Sequence, residues 1–209
     1  QIEAGIDYPC YPQLVGMVEQ FLDPLVEQKI GLEKQNNRYT IPSQLQLPKN
    51  PVATEYGDFM TQYFRNRPDQ FHKVKGWKAC LTGPFTLAGD IIVSPEMVNY
   101  TAPVIYSEPR AIMSEQILRT LAQIMAQIAQ VYSSLGATII SMDEPTLGLI
   151  VGKKTILYHS DDTIIDILNT AIAPIQKYAS VHICGRISPR LRDILLQSNV
   201  KILDHEFQK

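Results

Sequence analysis

Short apolar runs alternate along the chain with longer amphipathic stretches, a pattern typical of repeated strand–helix units. Residues 137–142 are almost continuously apolar, as expected for a parallel strand that is buried on both faces. In the stretch before this run the apolar positions recur every three or four residues, which predicts a helix from about Pro109 to Leu135. Gly136 follows at the position that helix C-termini favour.

The same pattern predicts further elements on both sides of this unit. Strands are predicted at residues 5–9, 77–81, 180–184 and 200–206. Helices are predicted from about Gly16, from Pro51 to about Arg67, from a cap at Asp161 or Asp162, and from Pro189 to Leu196. Residues 31–50 carry two prolines and the pair Asn36-Asn37, and are predicted to be irregular.

Five strands, most of them followed by a helix, belong either to a doubly wound sheet or to part of a (β/α)₈ barrel. A doubly wound nucleotide-binding protein carries a glycine-rich phosphate loop after an early strand, and this sequence has none. A complete barrel usually needs about 250 residues, and the chain has 209. We therefore expect residues 1–209 to form one α/β domain, a TIM barrel that is incomplete at both ends. Self-association or a partner chain is expected to complete the barrel, because an open parallel sheet leaves unpaired edges.

Composition narrows the classes of function. The formal net charge is −2, with 19% charged residues, which predicts neither nucleic acid nor a membrane surface as a partner. The sequence has no apolar run of membrane-spanning length and no signal peptide, so we expect a cytoplasmic protein. Its three cysteines are far apart and odd in number, which argues against a disulfide framework.

Polar clusters follow three of the predicted strands, where parallel barrels keep their active sites. His182 and Cys184 alternate along a strand and share a face. An imidazole and a thiolate on one face suit zinc, although a buried histidine beside a small apolar cysteine would give the same pattern.

The next strand ends in Asp204-His205-Glu206. Neighbouring parallel strands lie about 4.8 Å apart, so Glu206 is within reach of a cation on the preceding strand. Asp204 and His205 are expected to face water at the strand end. Asp143-Glu144 follows the strand at 137–142, and two carboxylates there suit ammonium binding, metal binding, acid–base work or capping of the next helix.

Four segments together resemble the catalytic barrel domain of cobalamin-independent methionine synthase and its shorter archaeal-type relatives. They are Leu81-Thr82-Gly83-Pro84-Phe85-Thr86, Met142-Asp143-Glu144-Pro145, Val181-His182-Ile183-Cys184-Gly185 and Asp204-His205-Glu206-Phe207. They occur in the family's order and extend over most of the chain. The family's (β/α)₈ barrel also resembles uroporphyrinogen decarboxylase and the corrinoid-dependent coenzyme M methyltransferases.

The resemblance implies specific roles for residues of this chain. His182, Cys184 and Glu206 match three zinc ligands of the family, and its second cysteine ligand would fall beyond Lys209. Asp143 matches the acid that holds the amino group of homocysteine. Where the family carries another acid this sequence has none, and Tyr11 or Gln13 would line the substrate site instead.

The activity implied by the resemblance is zinc-dependent transfer of a methyl group to the thiol of homocysteine, giving methionine. The donor would be a methylated corrinoid protein, as in the short relatives, or methylfolate. Three alternatives remain open: a methyltransferase acting on coenzyme M or another simple thiol, a metal-free decarboxylase, and a non-catalytic or degenerate subunit of such an enzyme.

Overall fold

A computed structural model of the chain describes residues 1–11, 13–98, 106–152 and 158–205. The helices are α1 (Glu19–Glu27), α2 (Glu55–Asn66), α3 (Pro68–Phe71), α4 (Pro84–Asp90), α5 (Glu115–Ser134), α6 (Pro145–Ile150), α7 (Asp161–Ile172) and α8 (Pro189–Gln197). The strands are β1 (Glu33–Gln35), β2 (Arg38–Ile41), β3 (Lys78–Thr82), β4 (Ile91–Val93), β5 (Ile139–Asp143), β6 (Tyr178–Ile183) and β7 (Ile202–His205). Short 3₁₀ turns occupy Pro95–Met97 and Ala111–Met113.

The centre of the fold is a parallel four-stranded sheet in the order β3-β5-β6-β7. Each of these strands overlaps a strand predicted from the sequence. A smaller sheet has the order β1-β2-β4, with β1 antiparallel and β4 parallel to β2. The mixed α/β fold with a parallel sheet is therefore confirmed, whereas a closed barrel is not seen in the described part of the chain.

The two longest helices near the sheet begin at serine caps. The Ser114 side chain accepts a hydrogen bond from the backbone N–H of Ile117 at the start of α5, and Ser160 starts α7 in the same way. Such a cap satisfies one of the backbone donors that the first turn leaves free. The inner faces of α5 and α7 pack in one hydrophobic core with Ala79 and Leu81 of β3. The residues that align with Ala79 and Leu81 on β5 and β6 belong to the same core.

Five local predictions were wrong, one of them the start of α2, which begins at Glu55 rather than at Pro51. Residues 5–9 form turns rather than a strand, and Cys10 alone makes a parallel bridge to Lys78. The α5 helix begins at Glu115 rather than Pro109, because the backbone at Arg110 and at the Ser114 cap is extended. The cap of α7 is Ser160, since its hydroxyl takes the position predicted for an aspartate. The region 31–50 is only partly irregular.

Within that region β1 and β2 form a hairpin. Asn36 and Asn37 make its two-residue turn, with φ of 49° and 58°. Two successive positive φ values define the turn whose twist matches that of paired strands, and asparagine tolerates them better than most residues. The asparagine pair is therefore a hairpin signal and not a sign of irregular chain.

An ion pair across the large sheet shows that the sheet is strongly curled. Through the middle strand β5, Lys78 of β3 aligns with Tyr178 of β6. Tyr178 lies four residues before His182, and His182 aligns with Asp204 of β7. In a flat sheet the Cα atoms of Lys78 and Asp204 would lie three strands and four residues apart, a distance of roughly 20 Å. Lys78 Nζ lies 2.8 Å from Asp204 Oδ2 instead. The four strands thus form an arc with a concave polar face, as part of a barrel wall does.

Candidate active site at the carboxyl ends of the strands

One row of aligned residues crosses the sheet near the carboxyl ends of its strands. Thr82, Asp143, His182 and Asp204 are successive partners from β3 to β7. Aligned residues of a parallel sheet project to the same face, and here that face is the concave one that Lys78 crosses. Two of the three predicted polar clusters, together with Asp204 of the third, therefore meet in one place.

His182 and Cys184 lie side by side at the end of β6. The distance from His182 Nε2 to Cys184 Sγ is 3.3 Å, and Cys184 is exposed. Two such ligands on a tetrahedral zinc ion are separated by about 3.6 Å, given the usual Zn–N and Zn–S distances. The donor chemistry and the spacing of this pair therefore fit zinc.

Asp204 occupies the other side of the same imidazole. Its Oδ1 lies 3.5 Å from His182 Nδ1, and its Oδ2 pairs with Lys78. The hydrogen bond from Lys78 lowers the pKa of Asp204, so the carboxylate is charged at neutral pH. A carboxylate on the second nitrogen of a metal-binding histidine fixes the tautomer and the orientation of the ring. Asp204 was predicted only to face water; the structure gives it two partners, and its side chain is 41% exposed.

Asp143 lies next to His182 in the row and is largely shielded from solvent. Its Oδ1 accepts a hydrogen bond from the Ser141 hydroxyl at 3.1 Å. Burial raises the pKa of Asp143, against the lowering effects of Ser141, His182 and Lys78. A cationic group of a ligand would relieve this cost because an opposite charge favours the ionised carboxylate. The position therefore suits recognition of an ammonium group.

Glu144 is fully buried and connects two of the four segments that carry the resemblance. Its Oε1 accepts the backbone N–H of Phe85 at 3.0 Å. Its Oε2 accepts both the backbone N–H and the hydroxyl of Thr86, each at 2.8 Å. A Cβ at Gly83 would lie 2.2 Å from Oε1, so the close approach requires glycine. Glu144 therefore anchors the end of β5 to the first turn of α4.

Tyr11 and Gln13 are held differently from each other. Tyr11 is buried, its ring stacks on Tyr56 at 4.6 Å between centroids, and its hydroxyl donates to the Cys80 carbonyl. Its hydroxyl thus already has a backbone partner. Gln13 is exposed. Their roles in binding substrate remain predictions.

The proposed zinc ligand Glu206 lies outside the described residues, immediately after β7. Among the residues that are described, no three His, Cys, Asp or Glu side chains are grouped closely enough to hold a metal ion. Over the same ranges, no helix has the length and apolar character needed to cross a bilayer.

No protein-family profile and no curated protein sequence matches the chain, but solved structures do. A B12-independent methionine synthase from Shewanella sp. W3-18-1, in complex with selenomethionine, matches 79% of this chain and 45% of its own, at 19% identity and a TM-score of 0.50. A protein from Listeria monocytogenes, assigned as a vitamin B12-independent methionine synthase, matches 88% and 51%, at 17% identity and a TM-score of 0.56. A methyltransferase from Methanosarcina mazei matches 94% and 57%, at 13% identity and a TM-score of 0.54.

Two of these structures carry the name of the family that the four sequence segments resemble, so the comparison agrees with that resemblance. At such low identity the likeness establishes the fold. The chain spans about half the length of the structures that it matches. Methyl transfer is the activity that the names of those proteins indicate.

Sequence reasoning missed the structural roles of Lys78 and Glu144. Lys78 follows Trp77 at the start of a strand, and nothing local marks it as the partner of Asp204, 126 residues later. Glu144 was recognised as a carboxylate at a strand end, but its anchoring role depends on Gly83 and Thr86 of another segment. The pairing of Thr-Gly-Pro with Asp-Glu-Pro at neighbouring strand ends was the available signal.

Proposed function

We propose that the chain is a zinc-dependent methyltransferase that transfers a methyl group to the thiol of homocysteine to give methionine. The observation that supports this most strongly is the contact of His182 with Cys184 in the same row as the shielded carboxylate of Asp143. The proposed metal ligands and the proposed ammonium-binding carboxylate thus lie on neighbouring strands. Homocysteine carries a thiol and an ammonium group a few bonds apart, which suits this spacing.

His182 and Cys184 would hold the zinc ion, with Glu206 as the proposed third ligand. A zinc ion held by protein ligands supplies an open position at which a thiol is deprotonated near neutral pH. This matters because a free thiol, with a pKa of about 8.5, is mostly protonated at that pH, and the thiolate is the nucleophile.

The other residues of the row would position the reactants. Asp204 orients the imidazole of His182, and Lys78 keeps Asp204 charged. Asp143 would hold the ammonium group of homocysteine, which makes the attack on the methyl donor a positioned one. The donor we propose is a methylated corrinoid carried by a partner protein, with methylfolate as the second candidate.

Asp143 also distinguishes homocysteine from coenzyme M. A carboxylate beside the metal ligands attracts an ammonium group and repels the sulfonate of 2-mercaptoethanesulfonate. A substrate without an amino group has no use for this residue. The local charge therefore favours homocysteine over the simple sulfonated thiol.

A thiol-competition assay tests the proposal. Zinc-loaded protein would be given methylcobalamin as donor, with homocysteine, 2-mercaptoethanesulfonate or 4-mercaptobutyrate, which is homocysteine without its amino group. We expect homocysteine to be methylated fastest, and Asp143→Asn to raise its KM by about 10- to 100-fold. The same variant should have an unchanged KM for 4-mercaptobutyrate. Faster methylation of 2-mercaptoethanesulfonate would favour the coenzyme M type of enzyme, and no methylation of any thiol, with either methylcobalamin or methylfolate as donor, would favour a non-catalytic subunit.

A further inference from the structure

A pair of sulfur atoms lies on the concave face, apart from His182 and Cys184. Cys10 Sγ and Cys80 Sγ are 3.5 Å apart, although the two residues are separated by 70 positions in the chain. Cys80 is on β3, and Cys10 reaches it because the N-terminal segment makes a single parallel bridge to Lys78. The pair therefore joins the N-terminal segment to the edge strand of the main sheet.

We propose that Cys10 and Cys80 form a reversible disulfide, a redox-sensitive link between the N-terminal segment and β3. This inference is independent of the proposed zinc site, which uses neither cysteine. A disulfide has an S–S length of about 2.05 Å, so the two sulfur atoms must approach by roughly 1.5 Å.

The N-terminal segment is the side of the pair that would make that movement. Cys10 lies in an isolated bridge outside the regular strands, and its backbone is held by the side chain of Gln1. Cys80 is fixed by β3, so closure would move mainly the Cys10 side. Thiol–disulfide exchange with a reduced thiol opens such a link again, which is what a reversible link requires.

Cys10 is also accessible to a small oxidant. It lines a cleft of about 300 Å³ together with Gln1, Phe59, Tyr63 and Arg67. The wall of the cleft carries both a cation, Arg67, and a carboxylate, Glu3. Cys80 lies behind Cys10 on the strand.

The surroundings favour thiol oxidation over capture of a metal. The hydrogen bond from Cys80 and the charge of Lys78 lower the pKa of Cys10, against the effect of burial, while the pKa of Cys80 is raised. The same ammonium group of Lys78 disfavours a cation bound between the two sulfur atoms. In the described part of the chain, no third metal-binding side chain is grouped with them.

The oxidant we name is a small-molecule disulfide, oxidised glutathione. The Cys10 thiolate attacks one of its sulfur atoms, breaks the S–S bond and releases one glutathione thiolate. The Cys80 thiolate then attacks the Cys10 sulfur of the mixed disulfide and releases the second. The two cysteine thiols lose two protons and two electrons, and the oxidised glutathione becomes two glutathione molecules.

Thiol mapping of the intact chain in glutathione buffers, from reducing to oxidising, tests the proposal. We expect Cys10 and Cys80 to lose reactivity toward an alkylating agent together, with a peptide that links them and full recovery in dithiothreitol. Cys184→Ser is the matched control and should form the same link, whereas Cys10→Ser should form none. The Tm of the oxidised chain should exceed that of the reduced chain, because the link constrains the unfolded state.

Mapping of the wild-type chain alone decides the matter if a variant fails to fold. The proposal is overturned if both thiols stay reactive in the most oxidising buffer while circular dichroism shows a folded chain. A disulfide that contains Cys184, or one that joins two chains, overturns it as well.

Discussion

Replacing Glu144 by glutamine tests the anchor between β5 and α4. Burial raises the pKa of this carboxyl group from an ordinary value of 4.5 to about 7, although three hydrogen bonds from Phe85 and Thr86 favour its charged form. Because the folded pKa is the higher one, the folded state binds the proton more tightly. The stability contributed by the neutral form is fully present below pH 4.5 and is lost as the pH rises through 7.

The two pKa values fix the size of the effect. The raised pKa of Glu144 lowers the free energy of unfolding by about 1 kcal/mol at pH 5 and by about 3 kcal/mol at pH 8, relative to its value at low pH. Glu144→Gln removes this cost, but its amide NH₂ must face a buried N–H donor, which costs about 1–3 kcal/mol at every pH. The free energy of unfolding of the variant, relative to wild type, should therefore rise by about 2 kcal/mol between pH 5 and pH 8.

Urea unfolding at the two pH values, followed by circular dichroism, measures this difference. Glu33→Gln makes the same chemical change at an exposed position of β1 and should shift the relative stability by less than about 0.5 kcal/mol. The reasoning is refuted if the wild-type and Glu144→Gln curves keep a constant separation from pH 5 to pH 8. Such a result would mean that Glu144 titrates alike in the folded and unfolded chain.

Two further substitutions test the surroundings of the site. Asp204→Asn removes the charge on the second nitrogen of His182 and should weaken zinc binding about 10- to 100-fold, measured by competition with a chromophoric chelator, while far-UV circular dichroism stays unchanged. An unchanged zinc affinity would count against the orienting role. Ser188→Ala removes a hydroxyl that donates to the Val151 carbonyl at 2.6 Å and caps α8 at Leu191, and should lower the free energy of unfolding by about 1–2 kcal/mol in urea titrations. A loss below about 0.3 kcal/mol would show that the cap is not needed.

The strands of the large sheet could be predicted because each is a short apolar run bounded by a turn or a polar cluster. Residues 137–142 illustrate this, because a strand that is buried on both faces appears in the sequence as an almost continuous apolar run. Helix ends were predicted less well. Pro109 suits a first helical turn, yet the helix begins only after Ser114. The Ser114 hydroxyl accepts a backbone N–H and thereby defines the start of the helix.

The site could be predicted only where its residues are local. His182 and Cys184 are two positions apart on one strand, so their shared face follows from the strand period. The contact of Lys78 with Asp204 joins two distant strands and depends on the curl of the sheet, which no local pattern encodes. The same is true of Cys10 and Cys80, whose proximity depends on how the N-terminal segment docks on β3.

Zinc content of the purified wild-type chain and of Cys184→Ala, with and without homocysteine, is the most direct test of the central claim. The account predicts about one zinc ion per wild-type chain, loss of zinc in the variant, and a change in metal coordination when homocysteine is added. A folded wild-type chain that binds no zinc, even when supplied with it, would contradict the account.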